Sequence, residues 1–217
     1  CIRDSTWIDM DLDITKKLIK PADTKIVLLV MDGLGGIPDS STNLTELESA
    51  YTPNLDNLAS KSICGLQQPV ATGITPGSGP GHLALFGYNP VRFGIGRGVL
   101  EAIGVDFDLR PGDVAARGNF CTVDEVGLVT DRRAERITTE KCTQLCQLLD
   151  GLVIEGVKLF VRPVKEHRFV VVFQGHGFSA DISDSDPQKI GVAPKVITAL
   201  CPEAKRMADI ANQFVAQ

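Results

Sequence analysis

The run KIVLLVMDG, residues 25 to 33, decides how the fold is read. Its apolar residues follow one another almost without a break, and Asp32-Gly33 closes it. An alternating run would leave one face in water. A continuous one is the pattern of a strand buried on both faces in a parallel sheet. Asp32 then stands at the carboxyl end of that strand, where open α/β sheets place their ligands. An Asp-Gly pair suits a tight turn equally well.

The neighbouring sequence extends the α/β reading. Residues 11 to 20, DLDITKKLIK, read as a short helix stopped by Pro21. Thr52-Pro53 opens a helix over 54 to 61, with Thr52 as its cap and Leu55, Leu58 and Ala59 as an apolar stripe. A short strand from Ile63 to Leu66 follows. Past Gly94 the texture changes, with glycines 94, 96, 98 and 104 punctuating a loop-rich stretch. Strand-like runs then span Val114 to Thr122, Gly127 to Thr130 and Arg168 to Phe173, with a helix over 139 to 150 and a strand over 157 to 162. The run from Lys158 to Val164 alternates as an antiparallel strand with one exposed face does. Residues 202 to 216 form an amphipathic helix with Met207, Ile210, Ala211 and Phe214 on one face. The expected organisation is a first core segment, 1 to 94, an inserted α+β module, 95 to 190, and a return segment, 191 to 217. One strand-helix-strand unit makes a thin core, which points to missing partner strands.

The candidate chemistry lies in TPGSGPGH, residues 75 to 82. Gly77, Gly79 and Gly81 strip the backbone around Ser78 of side chains, as where a backbone must approach a ligand closely. Clusters of this composition are usually plain turns. The run is not a P-loop, since no lysine follows the glycines, and Pro76 rules out the GxSxG elbow. A helix beginning at His82 leaves Ser78 just ahead of a helix N-terminus, a position that favours anions. A serine hydroxyl needs a base or a metal to become a nucleophile. No histidine is placed by sequence to be that base, so a metal held in part by Asp32 is the natural activator.

Composition narrows the class. The 217 residues are 43% hydrophobic and 23% charged, with a formal net charge of −5. That is a globular balance, and it gives no footprint for nonspecific nucleic-acid binding. No apolar run has the length of a membrane span, and residues 1 to 20 carry too many charges for a secretory signal. The expected location is the cytoplasm. The six cysteines form no CxxC pair, and Cys142 and Cys146, four apart on a helix, read as small buried hydrophobes.

Several blocks coincide in order. They are VMDGLGG (30–36), YTPNLDNLA (51–59), PGSGPGHLALFGYNP (76–90), GIGRGVLEAIG (94–104), RGNFCTVD (117–124), TDRRAERI (130–137) and ISDSDPQKIG (182–191). Together they resemble the archaeal-type, cofactor-independent (2,3-bisphosphoglycerate-independent) phosphoglycerate mutases, members of the alkaline-phosphatase-like metalloenzymes. The resemblance implies a partial alkaline-phosphatase-like parallel-sheet core with an inserted α+β domain. It implies two divalent metal ions (manganese, magnesium or zinc), a phosphoserine intermediate and no need for 2,3-bisphosphoglycerate. The small-molecule substrate is then phosphoglycerate, with neither nucleic acid nor membrane as partner. Carried onto this chain, Asp32 matches a metal ligand, and Ser78 matches the residue that is both nucleophile and metal ligand. His82 matches a substrate-contacting histidine. Asp131 and Arg132 match substrate-binding residues, and Arg117, Arg133 and Arg136 complete the candidate set. The arginine run equally suits a solvated face.

The chain also departs from that family. The family's later metal ligands include an Asp-His pair, and this chain has no Asp-His dipeptide. After Pro202 it has one aspartate, Asp209, and no histidine. Truncation is the favoured explanation, beside a product that has lost activity and a separate polypeptide that supplies the second half. The expectation is little activity alone and exposed apolar surface that drives self-association. Two rivals stand beside the mutase: a related metal-dependent phosphatase or phosphonate hydrolase, and a non-catalytic degenerate module. Asp184 and Asp186, in SDSDP, read as a capped turn in preference to a paired-carboxylate site.

Overall fold

The computed structural model describes residues 12–31, 33–74 and 76–217. It divides into two compact units, Cys1–Gly73 and Ile74–Gln217.

The first unit carries helices α1 (Leu12–Leu18), α2 (Glu46–Ser49) and α3 (Pro53–Ser60). A capping box starts α2: Glu48 N–H donates to Thr45 Oγ1 at 3.2 Å, and Thr45 N–H donates to Glu48 Oε2 at 2.8 Å. Thr52 is the cap residue of α3 and Pro53 opens it, as expected. The Thr52 hydroxyl, however, donates to Asp56 Oδ1 at 3.1 Å instead of capping the backbone. The strand expected over residues 25 to 31 is not formed, nor is that expected from Ile63 to Leu66. A strand exists only where a neighbour accepts and donates its backbone hydrogen bonds. None of the described residues of this unit supplies such a neighbour. The apolar side chains meant for a core therefore stand in solvent, with Ile26 at 99% and Val27 at 87% exposure.

The second unit is built on a four-stranded antiparallel sheet. Its strands are β1 (Val114–Asn119), β4 (Val153–Ile154), β5 (Val157–Lys165) and β6 (Arg168–Gln174), in the order β1-β6-β5-β4. A separate hairpin pairs β2 (Thr122–Val123) with β3 (Val129–Asp131). Helices α4 (Ser78–Leu85), α5 (Arg97–Gly104), α6 (Thr139–Leu149) and α7 (Lys205–Val215) complete it.

Strand β6 reads RFVVVFQ, and its five central residues are buried, because both faces of the sheet are covered. On one face Leu159, Val161, Val171 and Phe173 pack with Cys142 and Cys146 of α6 and with Met207, Ile210 and Phe214 of α7. On the other, Val170 and Val172 pack with Ala102 of α5 and with Phe107 and Phe160. Cover on this second face is partial. Lys158 and Arg162 lie over the Phe160 ring, so β5 shows the alternation its sequence announces. Cys142 and Cys146 are buried and unbridged, as small core residues.

Candidate active site

Gly77 takes the extended cap conformation of α4, with φ −71 and ψ 168, so Ser78 is the first residue of the helix and not the residue before it. The first amides of a helix have no acceptor within it. Ser78 is exposed among them, where an anion is favoured. One turn on, His82 Nδ1 donates to the Ser78 carbonyl at 2.6 Å. That bond assigns hydrogen to Nδ1 and leaves Nε2 of this exposed ring as the acceptor nitrogen.

The serine loop rests on α5. Gly79 is buried, and a Cβ there would lie 2.9 Å from Leu100 Cδ1. A Cβ on Gly77 would lie 3.3 Å from Arg97 Nη2, so the Arg97 guanidinium stands beside the cap of the serine helix. Helix α5 in turn lies on β1 at Gly98, where a Cβ would be 1.9 Å from the Ala115 carbonyl oxygen. Only glycine permits that approach. Two residues along β1, Arg117 reaches Glu101 of α5 at 4.0 Å. Burial, and after it the charge of Arg97, hold Arg117 below the ordinary arginine value, with Glu101 opposing. Close approaches at Gly77, Gly79 and Gly98 thus link the serine loop to Arg97 and, through β1, to Arg117. Arg97, in the quoted block GIGRG, is the residue that sequence reading passed over.

The run DRRAER is a strained turn. Ala134, Glu135 and Arg136 have φ of 45, 51 and 54, a left-handed conformation costly for residues with side chains. Asp131 holds it in place: its carboxylate accepts from Arg133 N–H at 2.7 Å and from Glu135 N–H at 2.9 Å. Those bonds keep Asp131 below its ordinary pKa. Arg132 donates through Nε and Nη2 to the two carboxylate oxygens of Asp186, at 2.9 and 2.6 Å. Arg136 Nη1 faces Glu166 at 3.6 Å, and Arg133 is exposed. The capped turn expected over residues 183 to 187 is not formed as a backbone turn. Asp186 Oδ1 instead accepts from Gln188 N–H at 2.8 Å, where a bend begins. The grip of Asp186 on an arginine 54 residues away had no local sequence signal. Nor did the setting of His167. It is 3% exposed at the β5–β6 turn, and its Nδ1 has no hydrogen-bond partner among the described residues.

Asp32 lies outside the described residues. Among the described residues no group of three histidine, cysteine or carboxylate side chains is placed to hold a metal ion. Among the same residues, no helix is long and apolar enough to cross a membrane.

An exposed serine thus stands at a helix N-terminus, with arginines carried on adjoining elements of a unit that mixes helices and strands. The family model of 2,3-bisphosphoglycerate-independent phosphoglycerate mutase matches residues 59–217, and the chain belongs to that family. A probable 2,3-bisphosphoglycerate-independent phosphoglycerate mutase of Thermus thermophilus is 47% identical over 206 residues, which cover 94% of this chain and 51% of the relative. Its counterpart in Thermotoga neapolitana is 50% identical over 201 residues, covering 92% and 49%. Among solved structures, the cofactor-independent phosphoglycerate mutase of Thermoplasma acidophilum matches with a TM-score of 0.54 and 37% identity, covering 86% of this chain and 50% of that one. A Pyrococcus horikoshii protein matches with a TM-score of 0.58 and 30% identity, covering 84% and 40%. The chain spans about half the length of the curated relatives it matches.

Proposed function

We propose that the protein interconverts 3-phosphoglycerate and 2-phosphoglycerate without 2,3-bisphosphoglycerate, through a phosphoserine at Ser78. The observation that carries this reading is Ser78 itself, exposed at the first turn of α4 with the Arg97 guanidinium beside its cap. In the forward direction Ser78 gives up its hydroxyl proton and its Oγ forms a bond to phosphorus as the bond from phosphorus to the substrate's 3-oxygen breaks, that oxygen taking up a proton. The glycerate then takes the phosphoryl group back on its 2-oxygen, releasing the serine, and this return step moves the 2-hydroxyl proton back to Oγ. Such transfer depends on positioning and on charge neutralisation more than on covalent help. The amides of α4 and Arg97 suit the phosphoryl oxygens. His82, fixed through Nδ1, offers Nε2 to the substrate. The forks of Arg117 and Arg132 suit a phosphate and a carboxylate, because guanidinium binds both bidentately. Arg133 and Arg136 add positive charge for an anionic substrate, and Asp131 serves by holding their turn.

The reading includes two divalent metal ions, manganese, magnesium or zinc, with Asp32 and Ser78 as the candidate ligands in this chain. The described residues alone do not make up such a site. It also includes an alkaline-phosphatase-like parallel-sheet core, built from 1–94 and 191–217 and interrupted by 95–190 as an insert. Further strands would cover the 25–31 run. Location is the cytoplasm, and exposed apolar surface on the chain alone leads to self-association. The test is phosphorus NMR of the complete protein with 3-phosphoglycerate and no added bisphosphoglycerate. Appearance of 2-phosphoglycerate supports the mutase. Release of inorganic phosphate alone identifies a phosphatase, and no turnover identifies a non-catalytic module.

A further inference from the structure

The block ISDSDPQKIG, residues 182–191, has no part in the chemistry above, yet its Asp186 makes a side-chain bond to a candidate substrate-binding arginine. A guanidinium has five N–H donors and two bidentate edges, one side-on through Nε and Nη2 and one end-on through Nη1 and Nη2. Asp186 takes the side-on edge with both oxygens, at 2.9 and 2.6 Å. Three N–H donors are left, and two of them form the end-on fork. Among the described residues no side chain or carbonyl bonds to that fork. The carboxylate is itself fixed, since Asp186 Oδ1 also accepts from Gln188 N–H at 2.8 Å. At the other end, the backbone that carries Arg132 is held by Asp131 through two amides. Both partners are thus clamped from behind. A half-exposed ion pair contributes little to stability, so stability alone gives little reason for such a clamp.

We propose that Asp186 is a positioning residue, which locks the side-on edge of Arg132 so that its end-on fork meets an oxyanion of phosphoglycerate. The inference rests on the reading of Arg132 as a substrate-binding residue. A pre-set fork binds without the ordering cost of a free arginine, so the effect belongs in KM.

The test is steady-state interconversion of phosphoglycerate by the complete protein, comparing wild type with Asp186→Ala, Asp186→Asn, Arg132→Ala and the double alanine variant. Asp186→Ala is expected to raise KM about tenfold with kcat changed less than about twofold, roughly the effect of one charge-assisted hydrogen bond. Asp186→Asn, which keeps one acceptor, should fall between, and it carries the test should Asp186→Ala fail to fold. The double variant should bind no worse than Arg132→Ala. A KM unchanged or lowered by Asp186→Ala, or an Asp186 effect that persists undiminished without Arg132, overturns the inference while leaving the mutase reading intact. A KM unchanged in Arg132→Ala does the same. A wild-type protein that does not interconvert the two phosphoglycerates overturns both.

Discussion

Ser78 does its proposed work through one oxygen, and its replacement is the sharpest change available at this scale. In the complete protein Ser78→Ala should lower interconversion by about a thousandfold or more, because the acceptor of the phosphoryl group is gone. Loss of less than about tenfold, read by the same kinetics, would assign the nucleophile elsewhere. His167 offers a second prediction, through stability. Burial first, then the charges of Arg168, Arg133 and Arg136, depress its pKa, against the opposing charge of Glu166. The unfolded chain therefore takes up a proton near about pH 6.5 while the folded one resists it. Stability from this group is present above that pH and is lost as pH falls through it towards the folded value. The urea midpoint should drop more between about pH 7.5 and 5.5 for wild type than for His167→Gln. Equal drops would mean that another group governs acid sensitivity.

At the scale of elements, the joint between α5 and β1 carries the serine loop to Arg117. Gly98→Ala would drive a methyl group into the Ala115 carbonyl. A destabilisation of about 1–3 kcal/mol is expected from such overpacking, measured by urea unfolding of this chain. A variant as stable as wild type would show that the contact is not tight. Helix α6 gives a chemical test. Burial pushes the Cys146 thiol up to about 12, and raises that of Cys142. Cys64 is exposed and should react with a disulfide reagent in the native state, Cys121 more slowly because burial and the charges of Asp186 and Asp131 raise its thiol, and the α6 pair only on unfolding. Native labelling of Cys142 would contradict the packing described.

What the sequence makes legible follows from locality. The helices α3, α6 and α7 and the strands β5 and β6 announce themselves by caps and apolar periodicity. Ser78, His82 and the arginine run are visible as compact blocks. The 25–31 run carries the pattern of a strand, but a pattern cannot supply the neighbouring strand that pairing requires. The Arg132–Asp186 and Gly77–Arg97 contacts join blocks far apart in the chain, and nothing in either block alone names its partner. Asp131 illustrates a third case: its place in the motif was plain, its use as a backbone anchor was not.

For the molecule as a whole, the two units differ in how much they bury. The second holds a two-faced core in which Leu159, Val170, Val172, Met207 and Ile210 are fully buried. The first leaves Ile26, Val27 and Leu29 in solvent and surrounds an apolar groove of about 450 Å³ lined by Met31, Leu34, Leu47 and Leu55. Exposed apolar surface of this kind associates. The average mass of this chain in sedimentation experiments should rise with concentration, and a mass constant at that of one chain would contradict the expectation. The phosphoserine proposed at Ser78 is tested by peptide mapping after the complete protein is mixed with 3-phosphoglycerate and quenched in acid. A phosphoryl group is expected on the peptide carrying Ser78, absent in Ser78→Ala. Interconversion with no phosphoryl group on that peptide, or with the group on another residue, would contradict it.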